Sequence, residues 1–469
     1  MTLKCHEALS IIKNHLIAEN DDTTTWRWKG GRRVEQLAVV IPTFAYLVFV
    51  TLAVPSLVTV LLFVLSFLFI WQFTGYPLLM GLVALRQKPK DKDCRFQPFI
   101  SIIVPTYDEG ANIEERIHNL YRLNYPTLNY EVIIVDSGSD DDTVRVVERI
   151  IEKCNCEGRP RLSMVKEEHR NGKATAINTG KRHARGDIVL VTDANCVFDH
   201  DVLKEMAPHF KNPAVGAVGG KYSVRNPGSL LTSSAQFYWD LEQILRTGEA
   251  ALDSACLFHG EINAWRKDLL DLDPTMLSED LDMCITIRKL GYKIDYEPKA
   301  IVYEAAPTTV EEQIKQRKRT SIGTIKSLVK NLNYELRPVD LYRSLILPSH
   351  KSLVMLSPFI LLTIPLLYVL SMDLSTVLFH LIITIAAFAV TLGLLMHVRV
   401  LVIADDKKKK RFPVSAVFKM TYYVLLNEYI VFIAWKDFIF HNYSVLWDKA
   451  ETTRSAENKC EDSLIRIEV

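Results

Sequence analysis

Phe99-Ile100-Ser101-Ile102-Ile103-Val104-Pro105-Thr106-Tyr107-Asp108-Glu109 is an apolar run that stops on a polar turn, and its reading decides the fold. Phe99 to Val104 is too short for a core helix and rich in β-branched residues, so it predicts a strand buried on both faces. The polar residues after it then lie beyond the strand's carboxyl end. Outward from this run, further strands read at Glu131–Val135, Arg161–Val165 and Asp187–Thr192, alternating with helices near 111–124, 141–153, 173–184 and 200–210. Such alternation predicts an α/β fold with a mostly parallel sheet. Ligands of these sheets sit beyond the carboxyl ends of strands, where Pro105–Glu109, Asp136 and Asp193 all fall.

The 469 residues are 49% hydrophobic with a net charge of +1. That suits a large core plus membrane crossings, and no bulk charge argues for nucleic acid. Gln36 to Leu85 is an uncharged run of 50 residues. As helix it would extend roughly 75 Å, two crossings of a hydrocarbon layer roughly 30 Å thick. Pro55-Ser56 offers a hairpin between helices near 37–54 and 57–84. Ser352–Met372 and Leu374–Val398 each predict one more crossing, with Asp373 at the turn. Basic residues flank the pairs (Arg27 to Arg33, Arg86 to Lys92, Arg343 and Lys351, Arg399 and Lys407 to Arg411), while the two turns carry none. The positive-inside rule then gives four crossings with everything soluble in the cytoplasm, a multi-pass protein of the cell membrane. In that compartment the eight cysteines read as free thiols.

The organisation that follows is an N-terminal segment 1–35, two transmembrane helices in 36–85, an α/β domain at 96–338, and an interface segment 339–351. Two further transmembrane helices in 352–404 precede an aromatic interface helix in 412–447 and a tail, 448–469. In the interface helix Phe418, Tyr422, Tyr429, Phe432 and Lys436 recur at helical spacing, which suits the headgroup layer, although packing on the soluble domain is the alternative. Leu230–Leu252 reads as an amphipathic helix carrying Phe237, Trp239, Leu241 and Leu245.

Polar signatures mark the ends of these elements. Tyr107 has a ring able to cover a base, and Asp136 can accept hydrogen bonds from base or ribose, or merely close the Asp136-Ser137-Gly138 turn. Lys173 opens a helix directly after Gly172, where its ammonium and the first-turn N–H groups suit a diphosphate. Asp193-Ala194-Asn195 follows a strand. Ser278-Glu279-Asp280 precedes a helix that begins near Leu281, where Glu279 could equally serve as a cap.

Ile103–Glu109, Val135-Asp136, Gly172-Lys173-Ala174, Asp193-Ala194-Asn195, Gly260–Arg266, Ser278-Glu279-Asp280 and Gln316-Arg317-Lys318-Arg319 together resemble the catalytic domain of family 2 glycosyltransferases. The likeness covers residues 98–338 and is nearest to the membrane-embedded synthases of cellulose, hyaluronan and poly-N-acetylglucosamine. The resemblance implies a GT-A-type, Rossmann-like mixed sheet. It also implies that Thr106, Tyr107, Glu109, Asp136, Lys173 and Asp193 hold a nucleotide sugar, most simply a UDP-linked hexose or N-acetylhexosamine. A divalent metal, Mg²⁺ or Mn²⁺, would sit at Asp193 and Asn195, where the family's usual second aspartate is replaced by an amide that weakens the site. Asp280 becomes the general base of an inverting transfer, with Glu279 beside it, and Gln316, Arg317 and Arg319 face the acceptor and the leaving diphosphate.

One departure bears on the product. The family's Gln-x-x-Arg-Trp element ends here in Thr320, so one aromatic platform for a growing chain is missing. The acceptor is therefore read as either a polysaccharide or a membrane-lipid-linked molecule, and single transfer, including from GDP-mannose, stays open, as does pairing of protomers. A nucleotide-binding membrane protein without turnover is the second reading. A transporter is disfavoured, because the four uncharged runs hold no Asp, Glu, Lys or Arg.

Overall fold

Two apolar helices, α1 (Pro55–Ile70) and α2 (Tyr76–Arg86), lead into the sheet. The computed structural model describes residues 55–87, 92–93, 95–154, 158–226, 228–371, 374–403 and 414–444. The chain divides into two compact units between Thr59 and Val60, and the fold below belongs to the larger one.

β1 (Ile100–Thr106) alternates α3 (Ile113–Tyr121), β2 (Tyr130–Asp136), α4 (Thr143–Cys154), β3 (Arg161–Lys166), α5 (Lys173–His183) and β4 (Ile188–Val191) after it. Ile100, Ile102 and Val104 pack into one hydrophobic cluster with Ile117 and Val147 from the helices, while Ile103 joins a second cluster with Ile177. Successive side chains of a strand leave on opposite faces, so a sheet covered by helices on both sides needs an unbroken apolar run. Each expected strand and helix is present, with ends shifted by up to three residues, save that the helix expected at 200–210 is only α6 (Val202–Met206) followed by a 3₁₀ turn, Ala207–Lys211.

The eight strands run in the order β3-β2-β1-β4-β7-β6-β8-β5. The second half, unread in the sequence, consists of β5 (Val197–Phe198), β6 (Val215–Val224), β7 (Asn263–Arg266) and β8 (Lys293–Glu304). β3, β2, β1 and β4 are mutually parallel. β7 runs antiparallel between β4 and β6, and β5 runs antiparallel to β8. The sheet is thus mixed rather than mostly parallel, because β7 enters from a tight His259–Ile262 turn instead of a crossover helix.

α7 (Leu230–Leu252) spans the expected residues and starts with a capping box between Ser229 and Thr232. α8 (Asp280–Lys289) and α9 (Val310–Lys330) complete the domain, and a short α10 (Leu332–Glu335) leads out of it. α11 (Leu353–Ser371), α12 (Leu374–Ile403) and α13 (Val414–Ile439) follow. Among the described residues three helical stretches are long and apolar enough to cross a membrane: Leu57–Arg86, Tyr342–Leu370 and Val377–Arg399. The crossing expected near 37–54 lies outside the described residues, as do segments 1–35 and 448–469. The segment expected at 339–351 is largely helical and continuous with α11 through two π-turns, Tyr342–Ile346 and Pro348–Ser352. α13 buries Val431 and Ala434 in a cluster with Ile322 and Ile325 of α9 and buries Ile430 as well, while Leu425, Tyr429 and Phe432 stay exposed. It therefore packs on the domain and still presents an apolar outer face. Among the described cysteines, Cys196, Cys256 and Cys284 are buried and unpaired.

Candidate active site

The loops after β1, β2 and β4 meet at one cavity lined by Thr106, Tyr107, Glu109, Ser137, Lys173 and Asp193. The loop after β1 is held by its partner loop. The Asp108 N–H donates to Ser139 Oγ at 2.8 Å, the Asp140 N–H donates to Asp108 Oδ1 at 2.8 Å, and the Glu109 N–H donates to Thr143 Oγ1 at 2.7 Å. Asp108 sits at φ 49°, an uncommon left-handed conformation for a residue with a side chain. Pinned this way, the loop lays the Tyr107 ring at the cavity wall with the Arg170 guanidinium 4.0 Å from its centroid. A stacked ring and cation suit a flat base. Asp136 has its carboxylate engaged in the turn, accepting from the N–H groups of Gly138 and Ser139 and from the Ser139 hydroxyl. Its neighbour Ser137, not Asp136, lines the cavity.

A second cavity lies on the other side of Glu279, and Lys173, Asp193, Leu277, Glu279 and Arg319 line both. At this junction the charges are dense. Lys173 Nζ stands 2.7 Å from Asp193 Oδ1 and 3.7 Å from Glu279 Oε1. Gly172, at φ 89°, makes the turn that starts α5 here, a conformation glycine adopts without strain. Burial alone would lower the Lys173 ammonium, but Asp193 and Glu279 outweigh it and hold the charge well beyond an ordinary lysine. Burial and then Glu279 push the Asp280 carboxyl well above its usual range. Burial and Asp193 push Glu261 up to about 7. Glu279 makes no side-chain cap on α8, so its carboxylate is committed to the junction rather than to the helix. Asp280 is the first residue of α8, one earlier than expected, and its Oδ1 is buried without a hydrogen-bond partner.

Asn195 Nδ2 donates to Glu304 Oε1 at 2.8 Å. Only the amide nitrogen can donate to a carboxylate, so this contact fixes which way the amide faces. Asn195 Oδ1 is left buried with no hydrogen-bond partner, two residues beyond the Asp193 carboxylate. An unsatisfied amide oxygen and a carboxylate fit a hard divalent cation that takes its remaining oxygens from phosphates and water. Among the described residues no group of three or more His, Cys, Asp or Glu side chains is placed to hold a metal unaided.

Besides the expected Gln316 and Arg317, the second cavity collects residues to which the sequence assigned no role. Trp239 and Tyr238 of α7 line it with His259, Glu261 and Tyr222, and Gln316, Arg317 and Thr320 of α9 close another side. Tyr222, Trp239 and His259 form a ring cluster with centroids 4.6 to 5.4 Å apart. Burial keeps the His259 imidazole neutral, well below its ordinary range. Arg319 donates to the Leu277 carbonyl at 2.7 Å, bracing the loop before Ser278. The structure thus brings Thr106, Tyr107, Glu109, Lys173, Asp193, Glu279, Asp280, Gln316, Arg317 and Arg319 to two joined cavities. It leaves Asp136 behind the wall and Asn195 beneath it. Of the missed residues, only Glu261 lay within a quoted motif; the others meet through tertiary packing.

Residues 97–323 match the family described as "Glycosyltransferase like family 2". The domain over these residues is of family 2 glycosyltransferase type, with a mixed sheet, and the chain carries three candidate membrane helices among its described residues. It is similar to poly-β-1,6-N-acetyl-D-glucosamine synthases, 28% identical to that of Staphylococcus aureus strain COL and 27% to that of Staphylococcus epidermidis. In both cases the match covers 238 residues, 50% of this chain. The chain spans 56% of the length of these curated relatives. Among solved structures, the mannosyltransferase PcManGT of Pyrobaculum calidifontis, in complex with GDP-Man and Mn²⁺, superposes with a TM-score of 0.59. It is 24% identical, with 82% of this chain and all of that one covered, a likeness of fold.

Proposed function

We propose that this glycosyltransferase moves one sugar from a nucleoside-diphosphate donor, bound in the Tyr107 cavity, to an acceptor hydroxyl in the Trp239 cavity, with inversion. The observation that carries the reading is the junction: Lys173, Asp193 and Glu279 line both cavities, and Asp280 lines the second. Asp280 takes the proton of the attacking hydroxyl, a role its raised basicity favours. The oxygen bonds to the anomeric carbon as the bond to the diphosphate breaks. Lys173, in moving from Asp193 toward the leaving oxygens, and Arg319 stabilise the charge that develops. Mg²⁺ or Mn²⁺ at Asp193 and Asn195 would add positive charge against the diphosphate. The relatives' names favour an N-acetylhexosamine as the sugar, and the solved neighbour's ligand favours GDP-mannose.

The test is release of nucleoside diphosphate from UDP-N-acetylglucosamine, UDP-glucose and GDP-mannose by membranes carrying the full chain. Release with one donor, abolished by EDTA and restored by Mn²⁺, is expected, and proton NMR of early product reports the anomeric configuration. Absence of release with all three donors would end the proposal.

A further inference from the structure

We propose that the acceptor is a membrane lipid that carries a hydroxyl and, beyond it, an anionic group. This rests on the transferase reading above and assigns the occupant of the second cavity. That cavity runs from Asp280 to Lys351, Val354 and Met355, which belong to the candidate membrane helix Tyr342–Leu370. Its two ends have opposite sign. At the catalytic end the carboxylates of Asp193, Glu261, Glu279 and Asp280 outnumber the cations Lys173 and Arg319. The far end is built around Glu242, with a second buried carboxylate, Glu249, behind it 2.7 Å from His350 Nδ1. Arg246 NH2 donates to Glu242 Oε2 at 2.8 Å, Tyr238 Oη donates to Glu242 Oε1 at 2.5 Å, His350 Nε2 lies 3.2 Å from Oε1, and Lys351 Nζ lies 3.6 Å from it.

Two cations therefore share one counter-ion that two further groups also use. Arg246 is 2% exposed, lines the cavity, and has Nε and NH1 buried without any hydrogen-bond partner. Buried guanidinium N–H groups that the protein leaves unmet call for an external acceptor, and an oxyanion meets them best. The sign pattern fixes the orientation of the occupant: its hydroxyl at Asp280, its phosphate or carboxylate at Arg246 and Lys351.

A separate observation makes the occupant a lipid. An apolar groove lined by Ile325, Leu328, Leu332, Leu336, Leu356 and Trp435 shares one wall residue, the buried Met355, with the polar cavity. Leu332, Leu336 and Leu356 are exposed large hydrophobics, and Leu356 lies on the candidate membrane helix. Such a groove suits acyl chains whose headgroup reaches into the cavity. In the transfer, the lipid hydroxyl oxygen bonds to the anomeric carbon and its proton passes to Asp280. The nucleoside diphosphate leaves with the electron pair of the broken bond.

The experiment uses the full chain in phosphatidylcholine nanodiscs with a radiolabelled donor and three acceptors. These are phosphatidylglycerol (hydroxyl and anion), diacylglycerol (hydroxyl alone) and water-soluble glycerol 3-phosphate (both, with no chains). Label entering phosphatidylglycerol at least tenfold faster than the other two is expected. Arg246→Gln and Lys351→Gln should each reduce that preference below threefold. If Arg246→Gln does not fold, Lys351→Gln decides, its side chain being 12% exposed where that of Arg246 is 2% exposed. Equal labelling of diacylglycerol, faster labelling of glycerol 3-phosphate, or a preference unchanged in Lys351→Gln would overturn the assignment. Nucleoside diphosphate release with label passing to water or to a neutral glycan sinks the acceptor alone, whereas no release from any donor sinks the transferase reading with it.

Discussion

The two ends of the second cavity make an instructive pair. At one end carboxylates crowd around a single lysine; at the other, Arg246, His350 and Lys351 gather around Glu242, with Glu249 on the far side of His350. Both clusters are buried, and both leave polar atoms unmet: Asp280 Oδ1 at the acidic end, Arg246 Nε and NH1 at the basic end. Burial raises the Asp280 carboxyl, whereas the Glu242 carboxyl, which burial would also raise, is held well below its usual range by Lys351, His350 and Arg246. The same chemical group is pushed up in one place and held down in the other. The number of cations within reach decides which.

The largest break in that pair comes from its acidic end. Asp280→Asn removes the base, and transfer should fall on the order of 10²-fold to 10⁴-fold. Donor binding by isothermal titration should stay within about threefold, since the donor cavity does not include Asp280. A loss of donor binding instead would place Asp280 in the wrong cavity.

The basic end should fail differently. Glu242→Ala strips the shared counter-ion from Arg246 and Lys351, and removal of one partner of a buried ion pair typically costs about 3–5 kcal/mol. Thermal unfolding in detergent should show that loss, while Glu242→Gln, which keeps hydrogen bonds, should lose less. An unchanged midpoint for Glu242→Ala would mean that the cluster is hydrated.

Asn195→Asp sharpens the acidic end without breaking it. The added charge should lower the Mn²⁺ concentration for half-maximal activity several-fold, read from a metal titration, because carboxylates bind hard cations better than amides. The Glu304 contact opposes this, since two carboxylates cannot share one hydrogen bond, and a higher Mn²⁺ requirement would show that Glu304 wins.

A control far from both ends should show the smallest effect. Burial would lower His209, but its hydrogen bonds to Asp295 at 2.7 Å and Glu297 at 2.8 Å raise it above the ordinary histidine value. A raised imidazole contributes stability fully below the unfolded value of about 6.5 and loses it as pH climbs through the folded value. The unfolding-midpoint gap between wild type and His209→Gln should therefore be widest near pH 6 and shrink toward pH 9, with transfer unaffected. A gap that widens with pH would contradict the assignment.

The donor side was legible in sequence because each of its parts is local. Pro105-Thr106, Asp136-Ser137-Gly138 and Gly172-Lys173 are turn and helix-start residues attached directly to the strands and helices they follow. Even there the alternative reading of Asp136 as a turn residue describes its hydrogen bonds. The antiparallel half was not legible, since β7 is four residues long and leaves no periodic trace. The basic cluster was not legible either: Glu242 and His350 are 108 residues apart and share no motif. Thr320, read as the loss of an aromatic platform, is matched by Trp239, which lines the same cavity from another helix.

Gly248 of α7 faces α2 so closely that a methyl group there would lie 2.3 Å from the Met80 carbonyl oxygen. Contact of backbone with backbone leaves no side chain to act as a compressible spacer. The contact fixes the spacing between α7, which carries Trp239 and Arg246 of the second cavity, and a helix of the candidate membrane stretch Leu57–Arg86.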